Sequence, residues 1–191
     1  MLNLIIFGSP GAGKGTQASL ISKKYHLTPI SSGEIFRQEL KNGKLGPKIK
    51  KYYDSGKLVP DSLTIKIVEA AAKKMIKGAG FIFDGYPRNI KQAKSLNKFF
   101  KDNKINLDTV LNMKLDEKKA AERILLRAKT SGRSDDNLET IKKRFTVYHK
   151  ETEPILKYYQ KMNKVTDIDG LPSIKIIFKE INAVIKSLSK K

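Results

Sequence analysis

The sequence predicts an α/β protein with a five-stranded parallel sheet and helices on both faces. Short apolar runs alternate with helical stretches along the whole chain, and no hairpin signal separates any two of the apolar runs. The first apolar run leads directly into a glycine-rich turn and then a helix. This alternation is typical of parallel sheets, whose strands are joined by crossover helices. The 191 residues, of which 39% are hydrophobic, suffice for one domain with a sizeable core.

Five short apolar runs predict the strands. A strand buried on both faces reads as a continuous apolar segment rather than as an alternating one. The predicted strands cover residues 2–7, 28–31, 81–83, 109–115 and 165–168.

The segments between the strands carry apolar residues at helical spacing. Pro60 and Asp61 mark a helix start. Pro154 is expected to kink or break the longest helix, because proline lacks an N–H and its ring clashes with the preceding turn. Residues 130–136 are polar and contain glycine, which predicts a loop. The predicted helices cover residues 16–25, 34–40, 48–53, 61–75, 89–100, 117–127, 138–159 and 173–188.

The composition excludes several classes of function. The absence of cysteine removes disulfides, thiol nucleophiles and cysteine-ligated zinc. No apolar run approaches the roughly 18 residues that a membrane span needs. Residues 1–7 lack a basic region and a cleavage site, so they indicate a strand rather than a signal peptide. We therefore expect a cytoplasmic protein that does not associate with membranes.

The formal net charge of +20 allows two interpretations. One is an anionic partner such as nucleic acid, a membrane surface or nucleotides. The other is a lysine-rich proteome with solvated lysines, and the scattering of lysines along the whole chain favours it. A nucleic-acid-binding ATPase would need clustered basic residues or an aromatic stacking platform. The sequence has neither, so we expect no nucleic-acid partner.

Arginine is rare in this basic chain, which has only six arginines among its 39 Lys and Arg residues. The planar guanidinium fork binds phosphate oxygens bidentately, which an ammonium group cannot do. The arginines are therefore candidate phosphate ligands at positions Arg37, Arg88, Arg123, Arg127, Arg133 and Arg144.

Residues 8–16 read Gly-Ser-Pro-Gly-Ala-Gly-Lys-Gly-Thr and stand between a predicted strand and a predicted helix. This is the context that a phosphate-binding P-loop requires. Glycines let successive N–H groups point into one concavity, and the helix N-terminus adds positive partial charge. Lys14 can then reach the outer phosphates. The strict motif has Ser or Thr directly after the lysine, whereas here Gly15 precedes Thr16.

Residues 8–17 resemble the adenylate kinase family of nucleoside monophosphate kinases, in which a glycine after the lysine is the usual form. Further family motifs follow in order along nearly the whole chain, at residues 31–37, 55–60, 84–88, 122–127, 130–137 and 141–144, with Gln92 beside them. The short lid resembles that of the short-lid members. The resemblance implies a P-loop fold and reversible Mg-dependent transfer from ATP to AMP, giving two ADP and serving adenine nucleotide homeostasis.

The resemblance also implies roles for individual residues. The implied ATP-binding residues are Gly11, Ala12, Gly13, Lys14, Gly15, Thr16, Arg123, Arg127 and Pro172. The implied AMP-binding residues are Ser32, Gly33, Arg37, Lys57, Leu58, Val59, Gly85, Tyr86, Arg88, Gln92, Arg133 and Arg144. The residues expected to act on the transferring group are Lys14, Arg88, Arg127, Arg133 and Arg144.

The expected cofactor is Mg²⁺, bound with ATP and oriented by Asp84 directly or through water. Zinc is not expected, because the lid has neither the length nor the cysteines of the zinc-holding family members. No catalytic base is needed, since the acceptor is an anionic phosphate oxygen. His26 and His149 lie outside the motifs and are interpreted as structural or surface residues.

The resemblance divides the chain into a core (1–30, 61–127, 138–191), a monophosphate-binding segment (31–60) and a lid (128–137). One chain supplies both substrate sites, which favours a monomer. A UMP/CMP kinase of the same fold is the nearest alternative. Ser32 and Gln92 favour AMP, because relatives acting on UMP and CMP tend to carry Ala and Asn there. An inactive regulatory relative is a further alternative, although no key position is lost.

Overall fold

The computed structural model describes residues 1–76, 78–131 and 135–188, and five parallel strands form one sheet within them. The strands are β1 (Leu2–Gly8), β2 (Thr28–Ser31), β3 (Gly80–Asp84), β4 (Thr109–Lys114) and β5 (Val165–Asp169). Their order across the sheet is β2-β3-β1-β4-β5, so β1 lies at the centre between β3 and β4. The predicted fold class is confirmed.

Nine α-helices connect and cover the strands in the described part of the chain. They are α1 (Lys14–Tyr25), α2 (Ser32–Asn42), α3 (Gly46–Tyr53), α4 (Asp61–Lys73), α5 (Ile90–Asp102), α6 (Glu117–Ser131), α7 (Leu138–Val147), α8 (Pro154–Gln160) and α9 (Ile174–Leu188). Ser31, Asn89 and Asn137 cap α2, α5 and α7, each accepting a bond from a backbone N–H of the first turn. Such caps contribute about 1 kcal/mol each.

Two apolar layers hold the helices against the sheet, because successive strand side chains point to opposite faces. Ile5 and Phe83 belong to the layer that packs against α4, α5 and α8. Leu4 and Ile6 belong to the layer that packs against α1 and α9. Two smaller clusters lie apart from the sheet: one joins α2 and α3, and the other joins α6 and α7. These small clusters support the segments that flank the site.

The long helix predicted over residues 138–159 is interrupted earlier than its proline. The helix α7 ends at Val147, a π-helical turn spans Tyr148–Thr152, and α8 begins at Pro154. Proline has no N–H and excludes the carbonyl four residues before it. The helical turn before Pro154 is therefore wider than an α-helical turn, and Glu153 N donates to Tyr148 O, five residues back, at 2.8 Å.

The loop predicted over residues 130–136 is wrong at its start, because α6 continues through Ser131. The Thr130 hydroxyl donates to Arg127 O at 3.3 Å, which satisfies a carbonyl of the last turn. None of the helices in the described ranges combines the length and apolar character needed to cross a membrane.

Candidate functional site

The site lies where the central strands end. Gly8 ends β1 and Asp84 ends the adjacent β3, and in the register Ile6 pairs with Asp84. In open parallel sheets, ligands bind in the crevice beyond the carboxyl ends of the strands. The glycine-rich loop and the first turn of α1 form one wall of that crevice.

The loop between β1 and α1 has the backbone that the P-loop motif requires. Gly11 and Gly13 have φ angles of 84° and 90°, which L-residues with side chains rarely adopt. A Cβ on Gly11 would lie 2.3 Å from Ala120 O, so the loop packs tightly on α6. The ammonium group of Lys14 donates to Gly8 O and Ser9 O, at 2.8 Å each, and so spans the loop.

Positive charge is concentrated around this loop. Burial lowers the pKa of Lys14 to about 8, and the nearby charges of Arg88, Arg144 and Arg127 act in the same direction. The carboxylate of Asp84 opposes this shift. Burial, together with Arg144, also lowers the pKa of Arg88. Such a site is stabilised by incoming anions.

Every arginine in the described part of the chain lines one cavity of about 640 Å³. They are Arg37, Arg88, Arg123, Arg127 and Arg144. Arg133, the sixth, lies outside the described residues, as does part of the predicted lid. The other predicted residues on the wall of this cavity are Gly11, Ala12, Gly13, Lys14, Gly15, Thr16, Gly33, Asp84, Gly85 and Pro172. The structure thus brings the residues predicted to bind ATP and the arginines predicted to bind AMP together.

Two buried aspartates hold the arginines on the lid side. Asp136 accepts a bidentate pair from Arg127, with Nε to Oδ2 at 2.8 Å and Nη2 to Oδ1 at 2.7 Å. Arg144 Nη1 donates to Asp135 Oδ2 at 3.0 Å and to Asp136 Oδ1 at 3.3 Å. Neither aspartate is among the site residues predicted from the sequence. The signal was an adjacent acidic pair within the lid motif of a strongly basic chain.

Arg123 connects α6 to the loop that precedes α9. Its two terminal nitrogens donate to Gly170 O and Leu171 O, at 2.9 and 3.0 Å. Pro172 follows directly and lines the same cavity. Gln17 on α1 also contributes to this wall, and its side-chain nitrogen donates to Ile174 O at 3.0 Å.

A smaller cavity of about 30 Å³ lies on the acceptor side, next to Arg88. The Ser32 hydroxyl donates to Gly85 O at 2.5 Å and so attaches α2 to the end of β3. The predicted AMP-binding residues on the wall of this cavity are Ser32, Lys57, Leu58, Val59, Gly85, Arg88 and Gln92. Tyr86 lines neither this cavity nor the larger one. It is buried, and its hydroxyl contacts Gln92 O at 3.4 Å.

The Gln92 side chain is buried, with 1% of its surface exposed, so Gln92 does not face solvent from its helix. Its side-chain oxygen accepts from Arg88 N at 2.8 Å, and its nitrogen donates to Asp61 Oδ1 at 2.7 Å. Each end of the amide keeps one further hydrogen-bonding position, one accepting and one donating. Asp61 is predicted from the sequence only as part of a helix start, and its contact with Gln92, 31 residues away along the chain, is not.

Asp84 lies against the first turn of α1. A Cβ on Gly15 would be 3.6 Å from Asp84 Oδ2, and the Ser31 hydroxyl lies 3.4 Å from the same oxygen. Among the described side chains, no three or more His, Cys, Asp or Glu residues cluster around a point that could hold a metal ion. Neither His26 nor His149 lines the cavity.

Comparison with known proteins agrees with this geometry. The family model described as "Adenylate kinase" matches residues 6–164. The chain belongs to the adenylate kinase family. It is similar to proteins named "Adenylate kinase" from Azobacteroides pseudotrichonymphae (46% identical), Parabacteroides distasonis (43%) and Bacteroides fragilis (41%). Each alignment covers 98% of this chain and at least 99% of the relative. The predicted family and enzyme class are confirmed.

Proposed function

We propose that the chain transfers the terminal phosphoryl group of Mg-ATP to AMP, giving two ADP, within the arginine-lined cavity. One observation carries the proposal: each described arginine of this arginine-poor chain lines the cavity that also contains the P-loop and Lys14. Two polyanions that meet end to end need such a concentration of guanidinium groups, and a single small-molecule anion does not.

The donor nucleotide is held at the P-loop end of the cavity. Backbone N–H groups of residues 11–16 and the ammonium group of Lys14 bind the ATP phosphates. Arg127 approaches these phosphates from the lid side. Arg123 and Pro172 lie next to the adenine ring of ATP. Pro172 belongs to the loop that precedes α9, and Arg123 donates to that loop.

The acceptor nucleotide is held at the other end. Arg37 and Arg88 grip the AMP phosphate, because both line the cavity next to the smaller acceptor pocket. The base enters that pocket, where Gln92 pairs with the adenine N6 donor and a ring acceptor through its two remaining positions. Ser32, Gly33, Lys57, Leu58, Val59 and Gly85 form the walls. Tyr86 supports them from the core.

The reaction needs alignment and charge stabilisation rather than a base. Lys14, Arg88, Arg127 and Arg144 surround the transferring group, and the family resemblance adds Arg133, which lies outside the described residues, to this set. Asp135 and Asp136 keep the guanidinium groups of Arg127 and Arg144 oriented toward the cavity, in the way that fixed dipoles are preorganised in other active sites.

Mg²⁺ fits beside Asp84, whose carboxylate lies against the first turn of α1 and next to Lys14. Mg²⁺ usually keeps several waters and binds through one carboxylate together with substrate phosphates. Asp84 would hold it through those waters, with Thr16 nearby. When bound, the ion neutralises phosphate charge.

The segments 31–60 and 128–137 close over the substrates on the core (1–30, 61–127, 138–191). Closure would exclude water, which otherwise competes with AMP for the phosphoryl group. The segment 31–60 packs on a small apolar cluster of its own, formed around Phe36, Ile49 and Val59, which favours its movement as a unit.

The protein acts as a cytoplasmic monomer on small molecules, with no nucleic-acid or membrane partner. One chain supplies both the donor and the acceptor residues, so catalysis requires no second copy. The described arginines line a concave cavity, and the lysines are scattered along the chain without the basic cluster or aromatic stacking platform that nucleic-acid binding needs.

The test is transfer of label from γ-labelled ATP to unlabelled AMP. We expect half of the ADP formed to carry label, with no release of labelled inorganic phosphate. Arg88→Lys should raise KM for AMP more than it raises KM for ATP. Arg123→Lys should raise KM for ATP more than it raises KM for AMP. Label recovered as inorganic phosphate at a rate independent of AMP would contradict the proposal.

A further inference from the structure

The Tyr53 hydroxyl lies between the acceptor segment and the lid. Tyr53 is the last residue of α3, and its oxygen accepts from Arg37 Nη1 on α2 at 3.3 Å. The same hydroxyl donates to Asp135 Oδ1 at 3.4 Å. Both distances are longer than is usual for hydrogen bonds with charged partners. A movement of the two segments toward each other would shorten them.

The contact continues beyond Asp135 to the transferring group. Asp135 is 4% exposed, and its other oxygen accepts from Arg144 Nη1 at 3.0 Å. A polar chain therefore runs from Arg37 through Tyr53 and Asp135 to Arg144. A phenol suits the central position, because it both accepts and donates a hydrogen bond from one rigid ring.

The backbone next to Tyr53 packs on the helix that carries Arg144. The Thr140 hydroxyl lies 3.5 Å from Asp54 O. A Cβ on Gly56 would lie 3.1 Å from Thr140 Cγ2 and 3.3 Å from Arg144 Cγ. The turn after α3 and the helix α7 are thus in van der Waals contact, so a shift of one displaces the other.

We propose that Tyr53 is a positioning residue that couples acceptor binding to the placement of Arg144. The inference rests on the proposed function, in which Arg37 binds the AMP phosphate. A bound phosphate fixes the Arg37 guanidinium, and the Tyr53 hydroxyl on that guanidinium then holds Asp135. Asp135 in turn holds Arg144 toward the transferring group. Occupancy of the acceptor site thereby places Arg144 at the transferring group.

The first test compares Tyr53→Phe, which removes only the hydroxyl, with Tyr52→Phe. Tyr52 is a matched control, because it precedes Tyr53 on α3 and packs on the α2–α3 cluster. We expect Tyr53→Phe to raise KM for AMP about three- to tenfold, while KM for ATP stays within twofold. The factor by which a non-hydrolysable ATP analogue tightens AMP binding should fall toward one. Tyr52→Phe should change none of these.

The second test is a double-mutant cycle of Tyr53→Phe with Asp135→Asn. If the hydroxyl acts through Asp135, the effects on AMP affinity are clearly less than additive. Additive effects would overturn the inference, as would a Tyr53→Phe variant that matches Tyr52→Phe. A fall in thermal stability with equal changes in both KM values would indicate a merely structural role and also overturn it.

The outcome also separates the two proposals. Normal AMP-dependent turnover together with an inert Tyr53→Phe substitution would refute only the role of Tyr53. Absence of AMP-dependent turnover in the unchanged chain would refute the proposed function and this inference with it.

Discussion

Shortening Gln92 to asparagine tests how the acceptor pocket recognises its base. The substitution removes one methylene and about 1.5 Å of reach. The bonds to Arg88 N and Asp61 Oδ1, at 2.8 and 2.7 Å, then cannot both survive. The amide is then no longer held against the base, and each neutral hydrogen bond that it makes to adenine contributes about 0.5–1.5 kcal/mol. Loss of both bonds from acceptor binding corresponds to an increase of about five- to a hundredfold in KM for AMP.

Steady-state kinetics measure this effect, with AMP or CMP varied at saturating ATP and ATP varied at saturating AMP. We expect Gln92→Asn to lower the preference for AMP over CMP, while KM for ATP stays within twofold. Gln160→Asn makes the same chemical change at an exposed helix residue and serves as the control. An unchanged AMP/CMP preference, or an equal rise in KM for ATP, would refute this account of Gln92.

Three further predictions concern the P-loop and the surface. Burial lowers the pKa of Lys14 to about 8, so ATP binding at pH 8 should take up protons. Calorimetry in buffers of different ionisation enthalpy measures the uptake, which Lys14→Met should abolish. Hydrogen bonds to Glu153 and Glu117 raise the pKa of His149. Its stabilisation should be complete below about pH 6.5 and lost as pH rises through the raised pKa. Urea unfolding from pH 5.5 to 9 should therefore show the free energy of unfolding falling as pH rises, and an equal fall in His149→Gln would contradict this role. Gly11→Ala should destabilise the fold by about 1–3 kcal/mol more than Gly13→Ala. Both sites have positive φ, but the new Cβ lies 2.3 Å from Ala120 O at Gly11, whereas its nearest neighbour at Gly13 is 3.6 Å away. Equal unfolding free energies would contradict the clash.

Local signals sufficed for most of the fold. The strand predicted over 28–31 has the observed bounds, because a short segment between two helical stretches leaves few alternatives. The π-helical turn at Tyr148–Thr152 could not be predicted. It depends on a bond between Glu153 N and Tyr148 O, which forms only when the chain adapts around Pro154.

Some residues of the site could also be predicted from the sequence, and others could not. The P-loop and the arginines could be predicted, because their chemistry depends on residue type and local context. The roles of Asp61 and Asp135 could not, because they arise from contacts between distant elements. Asp61 meets Gln92 across 31 residues, and Asp135 meets Tyr53 across 82 residues. Nothing in either local sequence indicates those partners.

ADP production from Mg-ATP with AMP, UMP, CMP, GMP or no acceptor, each measured beside Lys14→Met, tests the central claim most directly. The account predicts fast turnover with AMP alone and its loss in the variant. ATP consumption that needs no monophosphate acceptor, and that none of the four stimulates, would contradict it.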